Sequence, residues 1–384
     1  MDKLSRQILN FHERVSQKKS TLSRKIAIRS LLANRLRELN MSGSAHNPMC
    51  GLYIVGSTLN GFAHEKSDLD LCYMMAQCDI DQHSIGLPVL QQLKIAFRDL
   101  PEVAFQDIIC AKTPILQMRF NAPFEDIIVD LNVNNPVAIR NSHLLCHYAN
   151  HDQRVRPLVS VIKEWAKRQG LKDPSRSTFS SYCLVLMVIH YLQCGTRTPI
   201  LPSLHRLQPH IFTSMSHPSP DYRGNCDVND NLSTLGELLF GFFEYFAHFD
   251  YKGDSICIRT GHRTNRNFVL KNSQRNHIPV DQWRYFCIEE PFTWTNAAHS
   301  IFDEGVFEVI QTTIKNSFTQ LSKTRNLYAL FKMTPPIMPH IVPKSAPPIK
   351  KEFVLPYSPE APVGEQKQKP KQNPKKKKID CCFE

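Results

Sequence analysis

The spacing of hydrophobic and polar positions changes character three times along this chain. Over residues 1–40, apolar side chains recur at helical intervals (Leu22, Ile26, Ile28, Leu31, Leu32, Leu36, Leu39) among many Arg and Lys, which predicts helix. A polar break with Gly43, Asn47 and Pro48 follows. From there to about residue 135 the runs are short and strand-like: 52–55, 68–75, 103–111, Ile115–Phe120 and 126–133. One amphipathic helix, 86–100, is set among them, with Leu90, Leu93 and Phe97 on one side. A sheet carrying a single helix is a small mixed α+β domain.

Beyond residue 136 the pattern is helical, with helices expected over 141–150, 154–170, 177–194, 231–248 and 301–331. The stretch 201–230, rich in Pro, His and Asn, reads as a long surface loop, and 253–261 as a short strand or turn. After Thr334 the chain is dominated by Pro and Lys and lacks the apolar residues a core needs, so disorder is expected there. The organisation expected is a helical segment 1–40 packing on the central domain, a catalytic domain 41–140, a helical central domain 141–333 and a tail 334–384.

Length and composition narrow the class. At 384 residues with 42% hydrophobic side chains, the chain can build two cores. A net charge of +12 suits a polyanionic partner without choosing between nucleic acid and a lipid surface. The longest apolar run, 183–192, is too short to span a bilayer. The N-terminus has no apolar leader core, and the 12 cysteines are scattered, several in apolar contexts (Cys72, Cys110, Cys183, Cys257, Cys287), with no C-x-x-C pair. A reducing, cytoplasmic setting is expected, with the Lys-rich tail serving nuclear import, RNA contact or neither.

The chemistry concentrates at Gly56-Ser57 and Asp68-x-Asp70. Two positions apart on a strand, Asp68 and Asp70 leave the same face, while Leu69 and Leu71 point to the other. Paired carboxylates on a rigid strand repel, and make sense with divalent cations between them and a phosphate. A Gly-Ser turn upstream offers N–H groups and a hydroxyl to that phosphate. Asp130, between Val129 and Leu131 on a later apolar strand, is costly unless paired or metal-bound, and fits as a third acid able to act as general base. Nucleotidyl transfer is the reaction these residues suggest.

The same residues resemble the catalytic signature of the nucleotidyltransferase superfamily related to DNA polymerase beta. Three further segments, 129–145, 235–250 and 287–296, resemble the nucleotide-binding, poly(A)-polymerase-associated and nucleotide-recognition motifs of terminal RNA nucleotidyltransferases. Among these, the resemblance is greatest to cytoplasmic poly(A) polymerases of the germline-development type. It implies a polymerase-beta-like mixed-sheet catalytic domain facing a mostly helical domain across a cleft, using two metals (Mg2+ or Mn2+) and ATP. Asp68, Asp70 and Asp130 would hold the metals, with Gly56 and Ser57 at the triphosphate. Asn141 and Ser142 would meet the ribose, Lys163 and Lys167 the β and γ phosphates, Ser181 a phosphate, and Tyr182 would stack on the base. Uridine-preferring relatives carry a histidine between Phe292 and Asn296; this chain has Thr293, Trp294 and Thr295 there, which favours ATP. Thr293 stands where relatives often have an acid, and Glu290 keeps a carboxylate nearby.

No folded RNA-binding module is recognisable. The resemblance implies an RNA 3′ end as acceptor and a separate RNA-binding protein of KH or RRM type for recruitment or activation, with no membrane partner. A terminal uridylyltransferase, a non-catalytic RNA-binding scaffold of the same fold and a basic RNA- or membrane-binding module remain the rival classes.

Overall fold

A computed structural model describes residues 1–39, 51–75, 80–111, 113–212 and 230–339. The polar break after residue 40 and the Lys-rich stretch of the tail lie outside the described residues, as does most of the 201–230 loop.

The N-terminal segment forms two helices, α1 (Lys3–Val15) and α2 (Lys19–Glu38), broken at 16–18. Asp2 caps α1 by accepting the Ser5 N–H at 2.9 Å. The helices part company. Leu4, Ile8 and Phe11 of α1 enter the core of the helical half, whereas Ile28, Leu32 and Leu36 of α2 enter the core under the sheet. The buried face of α2 is Thr21, Lys25, Ile28, Leu32 and Leu36, and Ile26 stays 46% exposed. Spacings of four and three residues make a single stripe that includes a lysine, which an apolar-only count passes over. The basic residues of α2 grip β1, the end of α4 and the loop before β5 through main-chain oxygens: Arg29 Nε donates to Leu52 O at 2.8 Å, Arg35 Nε to Ala96 O at 3.0 Å and Arg24 Nε to Pro123 O at 3.0 Å.

The catalytic half runs β1 (Gly51–Val55), α3 (Gly56–Asn60), β2 (Leu69–Met74), α4 (Leu87–Ala96), β3 (Val103–Ile109), β4 (Ile115–Phe120) and β5 (Ile128–Val133). The sheet order is β1-β2-β5-β4-β3, and only the β2–β5 pair is parallel. Leu69, Leu71, Val129 and Leu131 point into the core with Leu90 and Leu93 of α4 and Phe97 just after it. The acidic positions between them therefore face the other way.

The helical half comprises α5 (Pro136–His151), α6 (Val155–Arg168), α7 (Ser181–Cys194), the short α8 (Leu204–Leu207) and α9 (Pro209–Phe212), and α10 (Leu235–Ala247). The β6 (Asp254–Ser255) and β7 (Thr264–Asn265) pair precedes α11 (Arg266–Arg275), α12 (Glu304–Thr324) and α13 (Leu327–Phe331). Helix α5 starts five residues earlier than the periodicity suggested, because Asn135 accepts the Ala138 N–H and Pro136 fits the first turn. The capping box of Thr234 and Glu237 starts α10, and Arg325, at φ 43°, separates α12 from α13. The α11 helix had no apolar period to announce it. Helix α5 links the halves: Ile139 packs with Val55, Cys72 and Met74 on the face of the sheet that carries the acids, while Leu144, Leu145 and Tyr148 belong to the helical core.

Candidate active site

Strand register brings the acids together. Val55 pairs with Asp70, Asp70 with Asp130, and Asp130 with Gln117 across four neighbouring strands. Asp68 lies just before β2 and is exposed. Gln117 Nε2 donates to Asp130 Oδ1 at 3.1 Å, fixing that carboxylate from the next strand. Gly56 opens α3 at φ 67°, and a Cβ there would come within 2.2 Å of Asp70 Oδ2. Both the left-handed backbone and the close carboxylate require glycine at this position. The Gly56 N–H donates to Ser142 Oγ at 2.7 Å, and that hydroxyl donates to Ala138 O at 2.6 Å, so α5 holds the Gly56-Ser57 turn in place.

A cleft of ≈ 600 Å³ opens above these residues. From the sheet half it is lined by Gly56, Ser57, Asp68, Asp70 and Asn132, and from the helical half by Asn141, Ser142, Lys163, Ser181 and Tyr182. Nine of the residues singled out from the sequence thus share one cavity. Asp130, Lys167 and Glu290 are not on its lining. Asp130 stands directly beside Asp70 in the sheet. Lys167 is exposed, and the lysines that line the cleft beside Lys163 are Lys66 and Lys172, the latter in the turn after α6. Glu290 lies behind Tyr182: one carboxylate oxygen accepts the Phe292 N–H at 3.0 Å and Thr293 Oγ at 2.6 Å, and the other is 3.2 Å from the Tyr182 hydroxyl. It shapes the recognition turn and steadies the aromatic ring. The Tyr182 hydroxyl also lies 2.7 Å from Asn141 Oδ1, tying α7 to α5.

The two walls carry opposite electrostatic burdens. Burial, and after it Asp130 and Asp68, raises Asp70 to about 7. Burial and Asp130 raise Asp68 as well. Opposite them, Lys163 is buried, donates to Phe62 O at 2.8 Å and is lowered to about 8 by burial and then by neighbouring Lys172. Lys172 is itself lowered by burial and by Lys167. Each wall crowds like charges that a bound ion of the opposite sign would relieve.

Sequence reasoning passed over Lys25, Lys66, Asn132 and Lys172. Lys25 is completely buried beneath the acids. Its signal was a lysine on the buried stripe of α2. Asn132 carried the period-two signal of Asp130, two positions on along β5. Lys66 and Lys172 sit in connectors, where neither period nor cap marks a side chain's direction.

A Gly-Ser turn, Asp70 and Asp130 in strand register with Asp68 just before β2, and a facing helical wall make the arrangement of a nucleotidyltransferase. A family model described as "Poly(A) RNA polymerase, mitochondrial-like, central palm domain" matches residues 4–150, and one described as "Cid1 family poly A polymerase" matches 234–296. The chain is 41% identical over 387 residues to Poly(A) RNA polymerase gld-2 of Caenorhabditis elegans, covering 87% of this chain and 34% of that protein. It is 36% identical over 346 residues to Poly(A) RNA polymerase GLD2 of Mus musculus, covering 86% and 67%. The solved "structure of GLD-2/RNP-8 complex" superposes with a TM-score of 0.74 at 43% identity, over 86% of this chain and 98% of that one. The structure of "Cid1 in complex with its short product ApU" shares the fold, with a TM-score of 0.68 at 22% identity. The chain belongs to the GLD-2 family of poly(A) RNA polymerases. The chain spans about a third of the Caenorhabditis elegans relative and about two thirds of the Mus musculus one.

The nucleotidyltransferase family implies the use of a divalent metal and a nucleoside triphosphate. The donor set fits a hard cation: carboxylate oxygens of Asp68, Asp70 and Asp130, with Asn132 Oδ1 buried and unpartnered among the described residues. Among those residues no three His, Cys, Asp or Glu side chains are already drawn into a closed cage. The acids stand as an open wall.

Proposed function

We propose that this chain transfers AMP from ATP to an RNA 3′-hydroxyl without a template, releasing pyrophosphate. The observation that carries the reading is the register Val55–Asp70–Asp130 beneath the Gly56-Ser57 turn, facing Tyr182 and Lys163 across one cleft. Asp68, Asp70 and Asp130 would hold two Mg2+ or Mn2+ ions. Bound there, the metals would acidify the 3′-hydroxyl and offset charge on the leaving pyrophosphate. Asp130 accepts the hydroxyl proton, the O3′–Pα bond forms and the bond from Pα to the β-phosphate oxygen breaks. Ser57, Lys163, Lys172 and Ser181 hold the triphosphate. Tyr182 supports the base, and Asn141 with Ser142 meets the ribose.

Two observations support adenylate. The relatives at 36% identity and above are named poly(A) RNA polymerases. No histidine lines the cleft among the described residues, and His299 is exposed with Nδ1 donating to Asn296 O at 2.8 Å. Extension of an oligo(A) primer with each of the four nucleotides tests this, with ATP expected to be used best; preference for UTP would refute it. A separate RNA-binding protein is the expected partner, since two of the similar solved structures are described as complexes of GLD-2 with RNP-8 and with GLD-3. The assay is therefore run alone and with such a protein. We propose a cytoplasmic site of action, on the twelve unpatterned cysteines alone.

A further inference from the structure

Lys25 is 0% exposed, on a helix outside the sheet that carries the acids. Its ammonium lies 2.7 Å from Ser67 O, 3.2 Å from Asp68 O, 2.8 Å from Gln17 Oε1 and 3.2 Å from Thr58 Oγ1. Three N–H donors meet four acceptors, so the group is fully engaged. Two of those acceptors are the main-chain carbonyls of Ser67 and Asp68, which bracket the Asp68 Cα; a third is the hydroxyl of Thr58, the turn residue after Ser57. The same connector is fastened to the 16–18 turn and the start of α2 by three more bonds: the Gln17 N–H donates to Ala63 O at 3.1 Å, and Glu65 accepts the Lys18 N–H at 2.7 Å and the Thr21 hydroxyl at 2.6 Å.

From this geometry we propose that Lys25 is a positioning residue, setting where Asp68 stands relative to Asp70 and the Gly56-Ser57 turn so that the acids can take up divalent cations together. The inference rests on the metal-binding reading of those acids. A buried ammonium is costly, and neutral donors could satisfy the same carbonyls. What a lysine adds is charge: Asp70 and Asp68 are the first groups whose fields oppose the effect of its burial. That charge holds the acids near one another before a cation arrives. Two roles can be separated by sign. Removing a positive charge beside a cation site, by itself, tightens cation binding. Losing the position of Asp68 weakens it. Positioning is the larger effect here, because the contacts are direct.

Mn2+ binding to the full chain without nucleotide, followed by electron paramagnetic resonance, decides between them. Lys25→Met and Lys25→Gln are compared with wild type; Gln keeps an N–H donor, so it retains the fold if Met does not. Both are expected to weaken Mn2+ binding by about tenfold, the cost typical of groups that orient metal ligands, with Gln the milder. Arg35→Ala removes an equivalent clamp of α2 far from the acids and is expected to lower thermal stability without changing Mn2+ affinity. Unchanged or tighter Mn2+ binding in the folded Lys25 variants overturns the inference, as does an equal loss in Arg35→Ala. A wild type that binds no Mn2+ would instead overturn the metal-site reading.

Discussion

The two walls of the cleft are built by different rules. The acidic wall stands on adjacent strands, where hydrogen bonding sets neighbours at fixed register and a period of two sets direction. Asp70 and Asp130 can be nowhere but side by side once β2 and β5 pair in parallel. The basic and aromatic wall comes from α5, α6, the turn after it and α7, each positioned by packing on a core elsewhere. Backbone geometry therefore places the sheet-borne groups, while tertiary packing places the helix-borne groups. Tolerance should differ accordingly, with small changes in the acidic wall costing more than truncations opposite.

The sharpest contrast is expected from Gly56→Ala. One methyl must displace Asp70 Oδ2, from which it would lie 2.2 Å, and the backbone at φ 67° disfavours it further. Displacement of a reacting group by about an ångström costs about 100-fold in rate, so primer-extension kcat should fall by that order with the protein still folded. Tyr182→Ala removes a stacking face of about 1–3 kcal/mol, which should appear as a KM for ATP raised roughly 5-fold to 150-fold. If the two variants lose kcat and KM in the opposite pattern, the division between the walls is wrong.

Smaller effects test the helical wall itself. Lys172→Ala should weaken ATP binding about tenfold and Lys167→Ala by less than about twofold, since only Lys172 lines the cleft. Calorimetry distinguishes them, and the reverse order would restore Lys167 to the phosphates. Lys163 at about 8 is half-protonated at pH 8, and an adjacent phosphate raises it. ATP binding at that pH should take up protons, seen as a binding enthalpy that varies with buffer, and Lys163→Met should abolish the uptake.

The smallest effect concerns stability. Asp70 rises from an ordinary 3.8 to about 7 on folding, so the folded chain holds the extra proton between those values. Stability from this group is present below the lower value and is lost as pH rises through the upper one. Asp70→Asn mimics the protonated acid. At pH 8 without metal it should stabilise the protein by about 1 kcal/mol, a melting shift of roughly 2–4 °C. Added Mn2+ should stabilise wild type and leave Asp70→Asn nearly unmoved.

What could be read from the sequence follows the same division. Asp68, Asp70, Asp130 and the Gly56 turn were legible because strand alternation and a glycine with a steric reason are local properties. Tyr182, Asn141, Ser142 and Ser181 came only from resemblance, since nothing local distinguishes a helix residue that faces a cleft from one that faces solvent. Lys163 and Lys167 show the limit of helical spacing: four positions apart on α6, one is buried against Phe62 O and the other is exposed. The turn at Gly170, with φ +68°, carries Lys172 back to the cleft, and no periodicity crosses a turn. Lys25 shows the converse. It obeys the spacing of its buried stripe and was overlooked because its chemistry was taken for that of a solvated lysine.

Extension of a labelled RNA primer by Asp70→Ala and Asp130→Ala, beside wild type, with ATP and Mg2+ and with the recruiting protein present, tests the acidic wall most directly. Wild type is expected to lengthen the primer and release pyrophosphate, while each variant loses about a thousandfold or more of that rate, as when groups acting as one catalytic unit are removed. Undiminished extension by either variant would contradict the assignment of the cleft.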